Sequence, residues 1–212
     1  LEAIFSANQF SMVPTAVQAA LAGERVTFLA PHGHGEDQRI FELVMVADAD
    51  QADIPVGFLA VFYDVTDRER LNVELRKAAT HDYLTGIANR MQVDDQLQSA
   101  LARASRHKKQ VALMVFDLDG FKQINDQHGH AAGDLILKHV ASQLKATVRS
   151  MDTVGRIGGD EFVVVLEGLE QVEHACSLAG KLLGAVRESI LCGEQQLSVG
   201  ASIGVALYPL HG

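Results

Sequence analysis

The stretch GRIGGDEFVVVL, Gly155–Leu166, decides how this chain is read. Phe162–Leu166 is five consecutive apolar residues, four of them aromatic or β-branched. Such a run reads as a strand buried on both faces. Thr153–Ile157 is a shorter strand candidate. The Gly158-Gly159 pair between them is a hairpin signal, because tight hairpin turns need positive φ. The expectation is a β-hairpin with Asp160 and Glu161 at its tip. Acids at turns are common as solvated decoration, so the hairpin alone leaves their role open. In a regular strand the two carboxylates would also point to opposite faces. Joint ligation of one ion therefore requires a twisted or bulged tip.

A second acidic cluster lies upstream, in VFDLDGFKQINDQHGHAAGD, Val115–Asp134. Asp117 is the only charge in VALMVFD, and Asp119 follows it. Functional groups of open α/β sheets sit at strand ends, and a charge closing a buried strand needs a partner, for which a divalent cation would serve. If this strand lies beside the hairpin, then Asp117, Asp160 and Glu161 converge. Carboxylates with open positions suit Mg²⁺, which keeps waters and takes substrate phosphates. Two such ions would clamp an in-line displacement at phosphorus. The competing reading is an exposed turn with scattered acids.

Composition narrows the partners. The net charge is −9 over 212 residues, which argues against a nucleic-acid polymer, since that asks for a basic stripe. It does not argue against a single nucleotide carried with metal ions. The hydrophobic content of 48% is ample for a packed core. No run approaches the roughly 20 apolar residues of a membrane helix. There is no signal-peptide pattern, and a chain opening on Leu1 reads as a fragment of a longer one. Cys176 and Cys192 show no metal or disulfide spacing and read as free thiols in a reducing compartment. The seven histidines outside the second cluster, His32 and His34 included, show no ligand spacing.

Three parts follow along the chain. Residues 1–65 hold a helical pattern, PTAVQAALAGE, and three strand candidates, RVTFLA, RIFELVMVAD and PVGFLAVFYDV. Strands joined by loops suggest a small antiparallel sheet. Residues 66–80, TDRERLNVELRKAAT, form a connector helix that Thr66 or Asp67 can cap. Leu71, Leu75 and Ala78 fall on one seam, as in a short coiled coil; the alternative is a helix packed on its own domain. Residues 81–212 alternate helices, among them DQLQSALARASRHK, DLILKHVASQLKATV and VEHACSLAGKLLGAVRES, with the strand QVALMVFDLD, the hairpin and EQQLSVGASIGVALY. That is an α/β layer fold.

Taken together these residues closely resemble the diguanylate cyclase family, named for its Gly-Gly-Asp/Glu-Glu-Phe hairpin, here Gly158–Phe162. Three more blocks match in order: HDYLTGIANR (His81–Arg90), FDLDGFKQINDQHGHAAGD and RSMD (Arg149–Asp152). The resemblance covers about residues 80–212. It implies a cytoplasmic domain with a nucleotidyl-cyclase-like central sheet flanked by helices. It also implies condensation of two GTP into cyclic di-GMP across a homodimer, with release of pyrophosphate. Under it Asp117, Asp160, Glu161 and the Leu118 carbonyl ligate Mg²⁺ or Mn²⁺. Asp160 accepts the hydroxyl proton, with Glu161 sharing that role. Lys122 neutralises phosphate charge. Asn125 and Asp134 read guanine, with Gly120, Phe121 and His130 in the same GTP pocket. Arg149 and Asp152 form an inhibitory product site, arginine being suited to the O6/N7 edge of guanine.

Local alternatives stand beside these roles: His130 as a turn residue, Lys122 as a surface lysine, RSMD as a surface pair on a turn. For the whole domain, the alternative of a different class is a non-catalytic GTP or cyclic di-GMP binding module, and a weaker one is another nucleotidyl cyclase or a GTP hydrolase. The family's domain continues into a helix whose Lys and Arg contact the GTP phosphates. This chain ends at GVALYPLHG, so those contacts are expected to be missing from the fragment. The N-terminal part resembles the second half of a PAS sensor, FLAVFYDVTDRERL looking like its last strand and Asp-Val-Thr exit. That implies regulation through the helix at 66–80. Any membrane attachment of the parent chain lies outside this fragment.

Overall fold

The computed structural model describes residues 13–33, 35–51, 54–192 and 195–211. His34, half of the His-x-His motif, lies outside them. The chain divides into two compact units, Leu1–Arg76 and Lys77–Gly212. Among the described residues no helix is long and apolar enough to cross a membrane.

The first unit places helix α1 (Val13–Leu21) on a three-stranded antiparallel sheet, β1 (Val26–His32), β2 (Arg39–Ala49) and β3 (Pro55–Asp64), in that spatial order. Ala16 and Ala20 of α1 pack on Ala30, Leu43 and Met45. Helix α2 (Thr66–Thr80) follows β3 directly. Neither Thr66 nor Asp67 caps it as expected. The Thr66 hydroxyl donates to Asp64 Oδ1 at 2.5 Å and accepts from the Ile40 amide at 2.9 Å, and the Thr66 amide also donates to Asp64, at 3.1 Å. The hydrogen bonds from the Thr66 hydroxyl and amide, aided by the Arg39 charge, hold the Asp64 carboxyl below its usual range. Leu71 and Leu75 are more than half exposed, so the seam is not buried within this chain.

The second unit is built on a four-stranded sheet with spatial order β5-β6-β4-β9, all neighbours antiparallel. Its strands are β4 (Gln110–Asp119), β5 (Thr153–Gly158), β6 (Glu161–Leu169) and β9 (Gly200–Tyr208). A short ribbon of β7 (Ile190–Cys192) and β8 (Gln195–Leu197) precedes β9. Side chains alternate across each strand. One face, with Met114, Phe116, Phe162 and Val164, packs on α5 (His130–Thr147) and α6 (Val172–Val186). The other, with Val111, Val163 and Val165, packs on α3 (Arg90–His107). Phe162–Leu166 is therefore buried from both sides, as its sequence predicts. Each such side chain contributes about 1.5–3 kcal/mol of apolar burial.

Two short-range features differ from expectation. Phe121–His128 forms a helix, α4, that the sequence did not announce; the single residue Gly129, at φ +80°, separates it from α5. The hairpin turn is also displaced by one residue. Gly158 pairs with Glu161, so the two-residue connection is Gly159-Asp160 rather than Gly158-Gly159. Only Gly159 takes the left-handed conformation, with φ +46°. The β5–β6 register shifts between Arg156 and Gly158, which supplies the irregular tip that the adjacent acids called for.

Candidate active site

The end of the β4–β6 ladder gathers the two acidic clusters. Asp117 on β4 is the cross-strand partner of Glu161 on β6 and of Ser202 on β9. By alternation these residues share the α3 face of the sheet, but α3 covers Val111, Val163 and Val165 and leaves Val115 38% exposed. Asp117 and Glu161 thus emerge to solvent where the helical cover ends. Asp119 lies two residues further along the same face and accepts a hydrogen bond from the Ser202 hydroxyl at 2.9 Å. A Cβ at Gly200 would sit 2.9 Å from Asp119 Oδ2, so Asp119 lies close over the β9 backbone.

The expected three-carboxylate cluster is only partly formed. Asp117 and Glu161 face each other, but Asp160 belongs to the turn and not to the ladder. Among the described residues no group of three His, Cys, Asp or Glu side chains is gathered to hold a metal ion. Two facing carboxylates and a strand-end carbonyl at Leu118 are hard oxygen donors. They fit a small divalent cation that arrives with phosphate oxygens completing its shell.

The other predicted substrate residues follow β4 at once. Gly120, at φ +72°, turns the chain from β4 into α4, where Lys122 is exposed and Phe121 is buried. The first amides of a helix lack intrahelical acceptors and face anions readily. Asn125 on α4 meets α5 at Gly133, the residue before Asp134. A Cβ on Gly133 would overlap Asn125 Oδ1 and stand 3.2 Å from the Phe121 ring. The Asn125 side chain therefore lies against α5 at Gly133, and Asp134, the next residue, is exposed. His130 opens α5 and is exposed.

Arg149 and Asp152 lie elsewhere, at the far end of β5 from the hairpin turn, roughly 20 Å of strand away. Asp152 also supports local structure: it accepts from the Arg149 amide at 3.0 Å and the Glu167 amide at 3.3 Å. The Arg149 guanidinium is exposed and borders two cavities, of about 420 and 290 Å³.

Sequence reasoning missed what holds the hairpin. Arg156 donates from Nε and Nη2 to the Gly159 carbonyl at 2.8 and 2.6 Å. Its Nη1 meets the two Asp82 carboxylate oxygens at 3.2 and 3.3 Å. Asp82 also accepts from the Thr85 amide and hydroxyl. Burial, the largest single influence, pushes the Asp82 pKa up. The Thr85 hydrogen bonds and the Arg156 charge together outweigh it and hold the carboxyl below its ordinary value. The surrounding loop is bolted to β5: the Ala88 amide donates to Val154 and the Arg156 amide to Ala88. Gly155 allows that approach, because a Cβ would stand 2.8 Å from the Ala88 carbonyl. Asn89 caps α3 by accepting from the Gln92 amide. The HDYLTGIANR block is thus a brace for the hairpin.

Comparison with known proteins places this geometry. Residues 79–212 match the family model described as diguanylate cyclase, GGDEF domain. The bifunctional diguanylate cyclase/cyclic di-GMP phosphodiesterase MucR of Pseudomonas aeruginosa is 44% identical over 147 residues, covering 69% of this chain and 21% of MucR. The chain therefore spans about a fifth of that relative's length. A sensory box/GGDEF family protein of Caulobacter crescentus, known from a crystal structure, superposes with a TM-score of 0.60 at 40% identity, covering 63% of this chain and 86% of that one. The coiled coil and GGDEF domain of DgcB from the same organism, crystallised with c-di-GMP, gives 0.60 at 29% identity over 66% of this chain and 76% of that one. With the α/β fold, the GGDEF hairpin and the facing acids in place, the chain belongs to the diguanylate cyclase GGDEF domain family.

Proposed function

We propose that this chain carries a diguanylate cyclase, each protomer binding one GTP and two protomers facing each other to make cyclic di-GMP. The observation that carries the reading is Asp117 opposite Glu161 at the uncovered end of the β4–β6 ladder, with Lys122, Asn125 and Asp134 on the helices that follow.

In this reading Asn125 and Asp134 hold guanine. A carboxylate accepts from the donors on its Watson–Crick edge, and adenine leaves those groups unpaired. Gly120 and Phe121 present the start of α4 to the phosphates. Asp117, Glu161, Asp160 and the Leu118 carbonyl would hold Mg²⁺ or Mn²⁺, the divalent cofactor of this family's chemistry. Bound there, such an ion supplies neutralisation of triphosphate charge. Asp160, half-buried at the turn and with Glu161 beside it, takes the proton of the 3′-hydroxyl as that oxygen bonds to the α-phosphorus of the opposing GTP. The bond to pyrophosphate breaks, and Lys122 offsets the charge that builds on the phosphoryl oxygens. A second, symmetric transfer closes the ring and releases the second pyrophosphate.

Regulation enters at two places. Arg149 and Asp152 bind product away from the chemistry, supported by the exposed Arg149 side chain at the rim of two cavities. The first unit acts as a PAS-like sensor, supported by its antiparallel sheet and its Asp64–Thr66 exit into α2. The exposed Leu71 and Leu75 of α2 pair two chains. The deciding experiment is incubation of the purified chain with GTP and Mg²⁺, product separation by chromatography, and Asp160→Ala in parallel. Cyclic di-GMP from the wild type alone supports the cyclase. GTP or cyclic di-GMP binding without turnover assigns a binding module instead.

A further inference from the structure

The Arg156 side chain spends its whole fork on two partners that no function has claimed. Two nitrogens converge on the Gly159 carbonyl and the third meets the Asp82 carboxylate. The Arg156 and Asp82 side chains are only 12% and 16% exposed, so this is not a solvated surface pair. Asp82 is itself fixed, by two hydrogen bonds from Thr85 and by its own amide bonded to the Ile87 carbonyl. Gly159 is the first residue of the hairpin turn. Its carbonyl oxygen shares one planar peptide with the nitrogen and Cα of Asp160. Pinning that oxygen therefore pins the backbone from which the Asp160 carboxylate projects. A two-residue turn at an irregular ladder has few other restraints: Gly159 and Asp160 have no ladder partner, and the register is broken just before them.

We infer that Arg156 and Asp82 are a positioning pair for the catalytic hairpin, holding the Gly159–Asp160 peptide in the orientation that aims Asp160 at its substrate. The inference rests on the cyclase reading for what Asp160 does, but not for what holds it. Lysine cannot replace Arg156, because an ammonium offers no planar fork to reach both the carbonyl and the carboxylate. Neither side chain touches substrate. Their effect passes through the turn, and a misplacement of about 1 Å at a reacting group costs about 100-fold in rate.

The test uses Arg156→Lys and Asp82→Asn in the full chain, with two readouts. Backbone ¹⁵N relaxation reports the rigidity of the turn without any turnover. Order parameters at Gly159 and Asp160 are expected to fall from about 0.85 to below about 0.6 in both variants, with Val163–Val165 unchanged. Steady-state kinetics are expected to show kcat lowered about 100-fold while the KM for GTP stays within about twofold, because guanine recognition lies on α4 and α5. Unchanged order parameters with unchanged kcat would overturn the proposal. So would loss of order throughout β6, since the pair would then hold the sheet and not the turn. A wild type that makes no cyclic di-GMP would remove the cyclase reading and leave the relaxation readout to decide the positioning role by itself.

Discussion

Asp117 stands directly across the β4–β6 ladder from Glu161. Like charges in that relationship repel, at a cost of about 0.2–1 kcal/mol, and the fold tolerates it where α3 no longer covers the sheet. Glu161→Gln is therefore expected to stabilise the second unit by about that amount in metal-free, low-salt buffer. Added Mn²⁺ should raise the melting temperature of the wild type and do less for the variant. Thermal unfolding with and without metal checks both; a destabilised Glu161→Gln would show that the carboxylate is needed by the fold.

Folding lowers the Asp82 pKa, so the native state binds that proton more weakly than the unfolded chain does. The stabilisation from the pair is therefore fully present above the unfolded pKa of about 4. It is lost as pH falls through the lower, folded value. Asp82→Asn should be markedly less stable than the wild type at pH 7, and the gap should narrow as pH falls below about 4. Urea unfolding across that range measures it. A gap independent of pH would mean that the charge on Asp82 contributes nothing.

The strands and the site were legible to different degrees. Phe162–Leu166 announced itself because both its faces are buried and every residue had to be apolar, and the β4 run because its apolar stretch lies beside it in the sheet. Asp117 was legible as the one charge closing such a run. Helix α4 was not: FKQINDQH places only Phe121 and Ile124 on an apolar side, and its stability comes from packing on α5 through Gly133. The turn was misplaced by one residue because adjacent glycines do not say which of them pairs, and the ladder assigns Gly158 to Glu161. The Asp82–Arg156 contact joins residues 74 apart, and no local pattern marks a partner at that distance.

Gly133 decides where Asn125 sits. A methyl group there would overlap Asn125 Oδ1 and crowd the Phe121 ring. Asn125 can swing away; Phe121, buried in the core, cannot. Gly133→Ala is expected to cost about 1–3 kcal/mol of stability, as overpacking does, and to raise the KM for GTP about tenfold or more by displacing a guanine contact, which is worth ~1.4 kcal/mol or more. Calorimetric GTP affinity checks the second effect independently of turnover. Unaltered affinity would remove Asn125 from the guanine site.

Arg149 and Asp152 should fail differently. Among the described residues the Arg149 guanidinium has no hydrogen-bond or ion-pair partner, so Arg149→Ala should leave the melting temperature unchanged and raise the cyclic di-GMP concentration for half-inhibition about tenfold or more, the loss of a charged contact worth ~1.4 kcal/mol or more. Asp152 accepts from two backbone amides, so Asp152→Ala should lower stability by about 1–3 kcal/mol as well. Titration of both variants with cyclic di-GMP, beside thermal melts, separates a ligand contact from a turn-former. Equal stability in the two would contradict the assignment of Asp152 to the turn.

Helix α2 has one buried residue, Thr66, and leaves Leu71 and Leu75 57% and 59% exposed. Two exposed leucines on one seam of a charge-rich helix suit the proposed pairing with a second copy. Each would recover about 1.5–3 kcal/mol when covered, so the short seam of the proposed dimer would dissociate on dilution. Leu71→Glu with Leu75→Glu should therefore shift sedimentation toward the monomer, leave the melting of the second unit unchanged, and lower cyclic di-GMP formation, since the proposed reaction needs two facing protomers. Sedimentation and turnover both equal to wild type would show that two cyclase domains meet without this helix.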